Sequence, residues 1–321
     1  MTLMKSQRTV CVLLSAVLMA SLRAGVAWAS PPVAGVKHVV IIGVDGMSPN
    51  GVEKAATPNM HALMKAGAYT LHARGVMPTV SSPNWASMIM GAGPEQHGVT
   101  SNDWEPDKFD FPPTCKGSGG IFPTIFGVLR EQRPHSVIAA YTDWDGFVRL
   151  VERNVPDVME YVKKADETNS KAIAYLKEKK PTLTFIHYDH VDAAGHDFGW
   201  GTPEYYQAVA EADRLIGEVR EAVTQAGIFD RTIMLVSADH GGKGEHHGGN
   251  SLDELEIPWI IAGPGIAVGK EITAPVDIYD TAATVAYIFG LTPPACWIGR
   301  PVLGAFKSPR PPAGADVRSK H

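Results

Sequence analysis

Strand-like and helix-like patterns alternate through most of this chain, and that alternation admits few folds. It predicts a largely parallel central sheet with helices on both faces, the α/β class. Three apolar runs read as strands: Val39-Val40-Ile41-Ile42, Leu183-Thr184-Phe185-Ile186 and Ile233-Met234-Leu235-Val236. Shortly after each comes a group able to hold a metal ion: Asp45, then Asp192 with His196, then Asp239 with His240. Ligands of open α/β sheets bind beyond the carboxyl ends of the strands, which is where all three clusters fall.

Further strands are expected at 137–141 and 259–262, and helices at 123–132, 169–179 and 280–289, the last closed by Gly290. Thr57-Pro58 and Thr202-Pro203 each read as an N-cap followed by a first-turn proline. After the second, Tyr205, Ala208, Val209, Ala212, Leu215, Ile216, Val219 and Val223 keep the spacing of one buried face, so a long amphipathic helix is expected there. The stretch 103–120, rich in Pro, Gly, Asp and Phe, reads as a long loop, and 143–166 as an irregular lid over the strand ends.

The termini read differently. Lys5 and Arg8 precede an apolar run from Val10 to Ala20, and Ala27-Trp28-Ala29 supplies a small-x-small site, so residues 1–29 read as a secretory signal cleaved after Ala29. The run is too short to span a bilayer, and Arg23 interrupts its continuation. The expected product is secreted or periplasmic, without stable membrane insertion, with one catalytic domain over 30–306 and a disordered tail at 307–321. Losing Lys5, Arg8 and Arg23 leaves 26 of the 29 basic residues against 34 acidic ones, moving the formal charge from −5 to −8. With no Lys/Arg run, a nucleic acid polymer is not an expected partner; a small phosphorylated substrate is. Cys115 and Cys296 remain after cleavage, and their separation neither supports nor excludes a disulfide.

Taken singly, each chemical group has a plainer reading. Asp45 serves equally as a turn cap, Asp192-x-x-x-His196 alone is a common coincidence, and Gly244-Glu-His-His247-Gly-Gly249 reads as a solvated surface turn. Together they supply three carboxylates and at least three imidazoles, enough for two ions in mixed nitrogen and oxygen coordination, which suits zinc. The candidate nucleophile is Ser81, in Ser81-Ser82-Pro83-Asn84-Trp85, where Pro83 would begin a helix running through Met90. A helix amino terminus favours a phosphoryl group; the plainer role for Ser81 is an N-cap.

At this point the chain resembles the nucleotide pyrophosphatase/phosphodiesterase group of the alkaline phosphatase superfamily. The likeness rests on Val-Asp45-Gly, Ser81-Ser-Pro-Asn, Gly-Ala-Gly-Pro-Glu-Gln-His97-Gly, Asp192-Ala-Ala-Gly-His196, Asp239-His240-Gly and His247-Gly-Gly, six segments in order from about Val36 to Phe306. It implies an alkaline phosphatase-like fold and two zinc ions, one held by Asp192, His196 and His247 and the other by Asp45, Asp239 and His240. It selects His247 over His246 by its Gly-Gly context. It implies that Ser81 is phosphorylated and then hydrolysed in two in-line displacements, with Asn102 on a phosphoryl oxygen. Two departures stand out. Serine replaces the usual threonine nucleophile, and Ser82 replaces the aromatic that stacks on a nucleobase, for which Trp104 is a candidate substitute unless it covers the core. Phosphomonoesterase is the nearest alternative. A sulfatase, whose motif places arginine where Trp85 stands, a mutase and a non-catalytic binding protein are more distant ones.

Overall fold

The computed structural model describes residues 33–307; the expected signal segment and the tail beyond Lys307 lie outside the described residues. Eight strands form one sheet: β1 His38–Val44, β2 Ala68–Arg74, β3 Ile138–Thr142, β4 Val158–Tyr161, β5 Leu183–Tyr188, β6 Thr232–Ser237, β7 Glu256–Ala262 and β8 Lys270–Glu271. Their order is β4-β3-β5-β1-β6-β7-β2-β8. Pairing is parallel from β4 through β6, and β7 runs against its neighbours β6 and β2. The fold is mixed α/β with a mostly parallel sheet, as the alternation predicts. β3, β5 and β6 are buried along their whole length and β1 after its first residue. Such strands are covered on both faces, which is why they read as continuous apolar runs rather than alternating ones.

Helices follow their local chemistry. Thr202 accepts from the Tyr205 amide and starts Pro203–Gln225, whose apolar stripe from Tyr205 to Val223 packs inward. Thr124 caps Ile125–Gln132, so that helix begins two residues later than expected. Ala165–Lys179 begins earlier than expected, with Asp166 and Glu167 in its first turn complementing the helix dipole. Asp280–Phe289 ends where expected, at Gly290 in the left-handed conformation.

The segment 143–166 differs from an irregular lid. It contains a 3-10 helix, Asp145–Leu150, and strand β4, which extends the sheet beside β3. β2 carries no clear apolar run because it is partly exposed, alternates, and shifts register against β7 between Thr70 and Ala73. The stretch 103–120 contains no helix or strand beyond an isolated bridge between Glu105 and Lys108. A disulfide joins Cys115 in that stretch to Cys296, 181 residues away in sequence. Trp297 beside it donates from Nε1 to the Pro123 carbonyl, so the long loop is fastened at its far end.

Candidate active site

β5, β1 and β6 are neighbours, and their carboxyl ends release the chain at one edge of the sheet. Asp45 therefore lies between the Asp192 and Asp239 segments. Gly46 follows Asp45 at φ +66°, and a Cβ there would sit 2.8 Å from the Asp192 Cα, so only glycine lets the two segments approach. Asp192 and His196 lie one turn apart on the helix His190–Phe198. Asp239 accepts the Gly46 amide at 3.1 Å, fixing one carboxylate oxygen and turning the other away.

Two sets of ligand atoms come together. Asp45, Asp239 and His240 form one and Asp192, His240 and His247 the other, each with its atoms within 4.8 Å of one another. His240 belongs to both. His196 borders the second set, its Nε2 3.4 Å from Asp192 Oδ2.

The three imidazoles are prepared in the same way. His240 Nδ1 lies 2.8 Å from the Gly241 carbonyl, His247 Nδ1 2.8 Å from the Thr79 carbonyl, and His196 Nδ1 2.8 Å from the Glu245 carbonyl. A carbonyl only accepts, so each Nδ1 is the nitrogen that donates to it, and in the neutral ring Nε2 is the one left with a lone pair. Burial holds His240 down at about 4 and lowers His247 as well, keeping both neutral at ordinary pH.

The carboxylates complete the pattern. Asp45 Oδ1, Asp192 Oδ1 and Asp239 Oδ2 are buried without a hydrogen-bond partner. Burial, followed by the charge of Asp45, pushes Asp192 and Asp239 well above the carboxylate range. Two carboxylate charges within 4.8 Å of each other, as Asp45 and Asp239 would be, repel by about 3–4 kcal/mol in a protein interior, against a folding stability on the order of 5–15 kcal/mol. Orphaned carboxylate oxygens facing imidazole nitrogens are the donor set that divalent cations such as zinc accept.

Asp45 is the exception among the carboxylates. Burial raises its pKa, but hydrogen bonds from His187 and Trp85 and the nearness of His240 outweigh this and bring it to about 2. Trp85 Nε1 donates to Asp45 Oδ2 at 3.0 Å, and His187 Nε2 lies 3.3 Å from the same oxygen. His187 Nδ1 in turn faces Asp143 Oδ1 at 3.2 Å. Burial opposes a charge on His187, yet hydrogen bonds to the two carboxylates prevail and raise it to about 9. Gly43 makes room for this arrangement, since a Cβ there would meet the Trp85 ring at 2.5 Å.

Ser81 opens the helix Ser81–Met90, which starts two residues before the expected Pro83, and Val80 takes the N-cap position. Ser81 is thus free of a capping role. Its Oγ lies 3.3 Å from His240 Nε2, at the group shared by both ligand sets. The Ser82 amide donates to Asn102 Oδ1 at 2.8 Å, which brings Asn102 beside the nucleophile segment. Thr79 holds the His247 loop: besides accepting from His247 through its carbonyl, its hydroxyl accepts the Gly248 amide and donates to the Gly249 carbonyl. His246 has no such anchorage and pairs only with Lys243 through the backbone. His97 stays a structural group, accepting the Val99 amide and meeting Ser87 Oγ at 3.0 Å. Trp104 is 6% exposed, so it covers the core and offers no stacking face.

His187, Asp143 and Trp85 escape a reading of the sequence. The only signal is a histidine inside an otherwise apolar strand, and that is ordinarily a satisfied core residue.

The mostly parallel sheet, with facing Asp and His side chains that could hold metal ions at its carboxyl edge, is an alkaline phosphatase-like fold. Residues 39–257 match the family described as Type I phosphodiesterase / nucleotide pyrophosphatase, and the chain belongs to that family. Venom phosphodiesterase 2 of Crotalus adamanteus is 22% identical over 214 residues, 63% of this chain and 26% of the venom protein. The human ectonucleotide pyrophosphatase/phosphodiesterase family member 5 is 22% identical over 215 residues, 64% of this chain and 45% of its own length. The chain therefore spans less than half of either relative.

Solved structures agree on the fold. An inactive variant of the murine family member 5 in complex with AMP superposes with a TM-score of 0.68 at 16% identity, covering 80% of this chain and 96% of that one. A mutant of the alkaline phosphatase PafA gives 0.71 at 12% identity, covering 87% and 100%.

Proposed function

We propose that this chain is an exported zinc-dependent hydrolase of small phosphoric diesters or pyrophosphates, acting through a phosphoserine at Ser81. The observation that carries this reading is the convergence of three bare imidazole nitrogens and three orphaned carboxylate oxygens beside a serine hydroxyl. Asp45, Asp239 and His240 would hold one zinc ion, and Asp192, His196 and His247 the other. When bound, the ions lower the pKa of the attacking hydroxyl and neutralise charge on the phosphoryl and leaving oxygens.

The residues supply the rest. Ser81 Oγ attacks phosphorus in line with the leaving oxygen, and the ester bond to that oxygen breaks as the serine ester forms. Water then cleaves the phosphoserine from the opposite side and restores the hydroxyl. Asn102 spends its carbonyl oxygen on the Ser82 amide, and its NH2 donates to a non-bridging phosphoryl oxygen in both transition states. The amino end of the Ser81 helix adds a favourable field for the same group.

Diesters are favoured over monoesters by the charge near Asn102. Arg149 donates to the Asn102 backbone carbonyl at 2.8 Å, but its charge is matched by Glu105 at 2.9 Å, so the guanidinium is not a free partner for a dianion. The AMP in the murine relative favours a nucleotide substrate, while Ser82 in place of an aromatic and the burial of Trp104 argue for a different leaving group. Export rests on the signal-like residues 1–29 and on the Cys115–Cys296 disulfide, which persists in oxidising compartments.

Steady-state hydrolysis of bis-p-nitrophenyl phosphate against p-nitrophenyl phosphate, with zinc added, tests the reading. A higher kcat/KM for the diester is expected. Preference for the monoester would make the chain a phosphatase with Arg149 as its cationic contact.

A further inference from the structure

The ligand Asp45 is held from behind by groups that never reach the solvent. Its Oδ2 receives Trp85 Nε1 and faces His187 Nε2, while its Oδ1 has no hydrogen-bond partner. One oxygen is therefore fixed by the protein and the other is left for a cation. His187 is in turn held by Asp143, whose Oδ1 also accepts the Asp189 amide at 2.7 Å. The imidazole cannot swing away. Trp85 meets it edge-on at 4.8 Å, and Phe147 and Trp144 lie nearly parallel to it at 5.7 and 6.0 Å.

His187 and Asp45 are 0% and 1% exposed at their side chains. A hydrogen-bonded ion chain at that depth is costly to assemble and is retained where its geometry matters. Nothing in the packing of β5 requires a histidine at position 187: its neighbours Leu183, Phe185 and Ile186 fill the core with apolar groups. The site chemistry does require it. Without His187, Oδ2 would keep only the Trp85 donor, and the Asp45 carboxylate would lose the second of the two contacts that fix which oxygen it offers.

We propose that Asp143 and His187 are positioning residues for the inner metal site, acting as a relay that locks the Asp45 carboxylate so that Oδ1 alone faces the cation. The relay extends the usual support of a metal ligand by one step, with a carboxylate orienting an imidazole that orients the ligating carboxylate. It also ties the site to the 143–150 segment, since Asp143 lies two residues before the 3-10 helix whose Arg149 holds the Asn102 backbone carbonyl. Metal ligand and phosphoryl-binding amide thereby share one support.

The inference rests on the metal reading above, and the test separates the two. Cobalt(II) binding to the full-length mature protein is followed by chelator competition and by its visible absorption, for wild type, His187→Ala, His187→Gln and Asp143→Asn. Wild type is expected to bind two ions; failure to do so would overturn the metal reading itself. His187→Ala is expected to weaken one ion by about 10- to 100-fold, alter its absorption band and leave the other ion unchanged. His187→Gln, which restores the second donor beside Trp85 on Asp45 Oδ2, is expected to recover most of the loss. The inference is overturned if His187→Ala keeps both affinities, or if both ions weaken equally and glutamine rescues neither. Should His187→Ala fail to fold, Asp143→Asn decides: a selective weakening of one ion supports the relay, and unchanged binding refutes it.

Discussion

The two halves of the candidate site are built on different principles. Asp45, Asp239 and His240 are at most 1% exposed and are fixed by strand ends, by the Gly46 amide and by the Trp85–His187–Asp143 group. On the outer side, Asp192 and His247 have side chains 13% and 10% exposed, and His196 is 42% exposed. Those ligands come from a nine-residue helix and a glycine-rich loop, supported mainly by backbone carbonyls and by Trp200. The contrast teaches that, within the proposed two-ion site, one half is rigid and the other adaptable. The inner ion is expected to be retained under mild chelation while the outer one exchanges.

The largest expected effect comes from the inner half. Asp239→Asn removes a ligand and also relieves repulsion among buried carboxylates. Turnover is expected to fall below detection, and the melting temperature of the metal-free protein to rise while its stabilisation by added zinc disappears. Thermal unfolding with zinc and with chelator measures both; a fall in metal-free stability would show that the carboxylates are not in conflict.

In the outer half the effect is smaller. His247→Ala is expected to lower the occupancy of one ion and the activity together, by more than the roughly 10- to 100-fold that losing an outer-shell partner costs, leaving the other ion in place. His246→Ala should change neither. The reverse outcome, read by metal analysis of both variants, would move the ligand to His246.

The smallest effect concerns pH. His187 has its folded pKa raised from 6.5 to about 9, so its charge stabilises the folded state fully below about 6.5 and less as pH rises through about 9. Denaturant unfolding of the metal-free protein is expected to weaken across that window, and His187→Gln to flatten the profile. A metal-free stability that increases from pH 6.5 to 9 in the wild type would contradict a charged His187.

Much of the rigid half was legible because burial on both faces writes a strand as an unbroken apolar run, and the recurrence of acidic residues past such runs, rather than any one of them, points to a site. Asp45 and Asp239-His240 stand out for that reason. The outer ligands needed the family likeness, since Asp192-x-x-x-His196 and a His-rich glycine loop are common without function. The support of the inner half was not legible. His187 and Trp85 look like core residues, and Asp143 meets His187 across 44 positions through the pairing of β3 with β5. β2 and β4 escaped for the opposite reason, because their partly exposed positions mix polar and apolar residues. The sharing of His240 between both ligand sets is likewise a property of the assembled strand ends and not of any spacing.

The most direct test of the central claim compares wild type with Ser81→Ala for hydrolysis of bis-p-nitrophenyl phosphate, with zinc content measured on the same samples. The account predicts that turnover is lost while both ions remain, because Ser81 lies against the ligand sets without supplying a buried charge. Retained turnover in the variant, at unchanged zinc content, would contradict it.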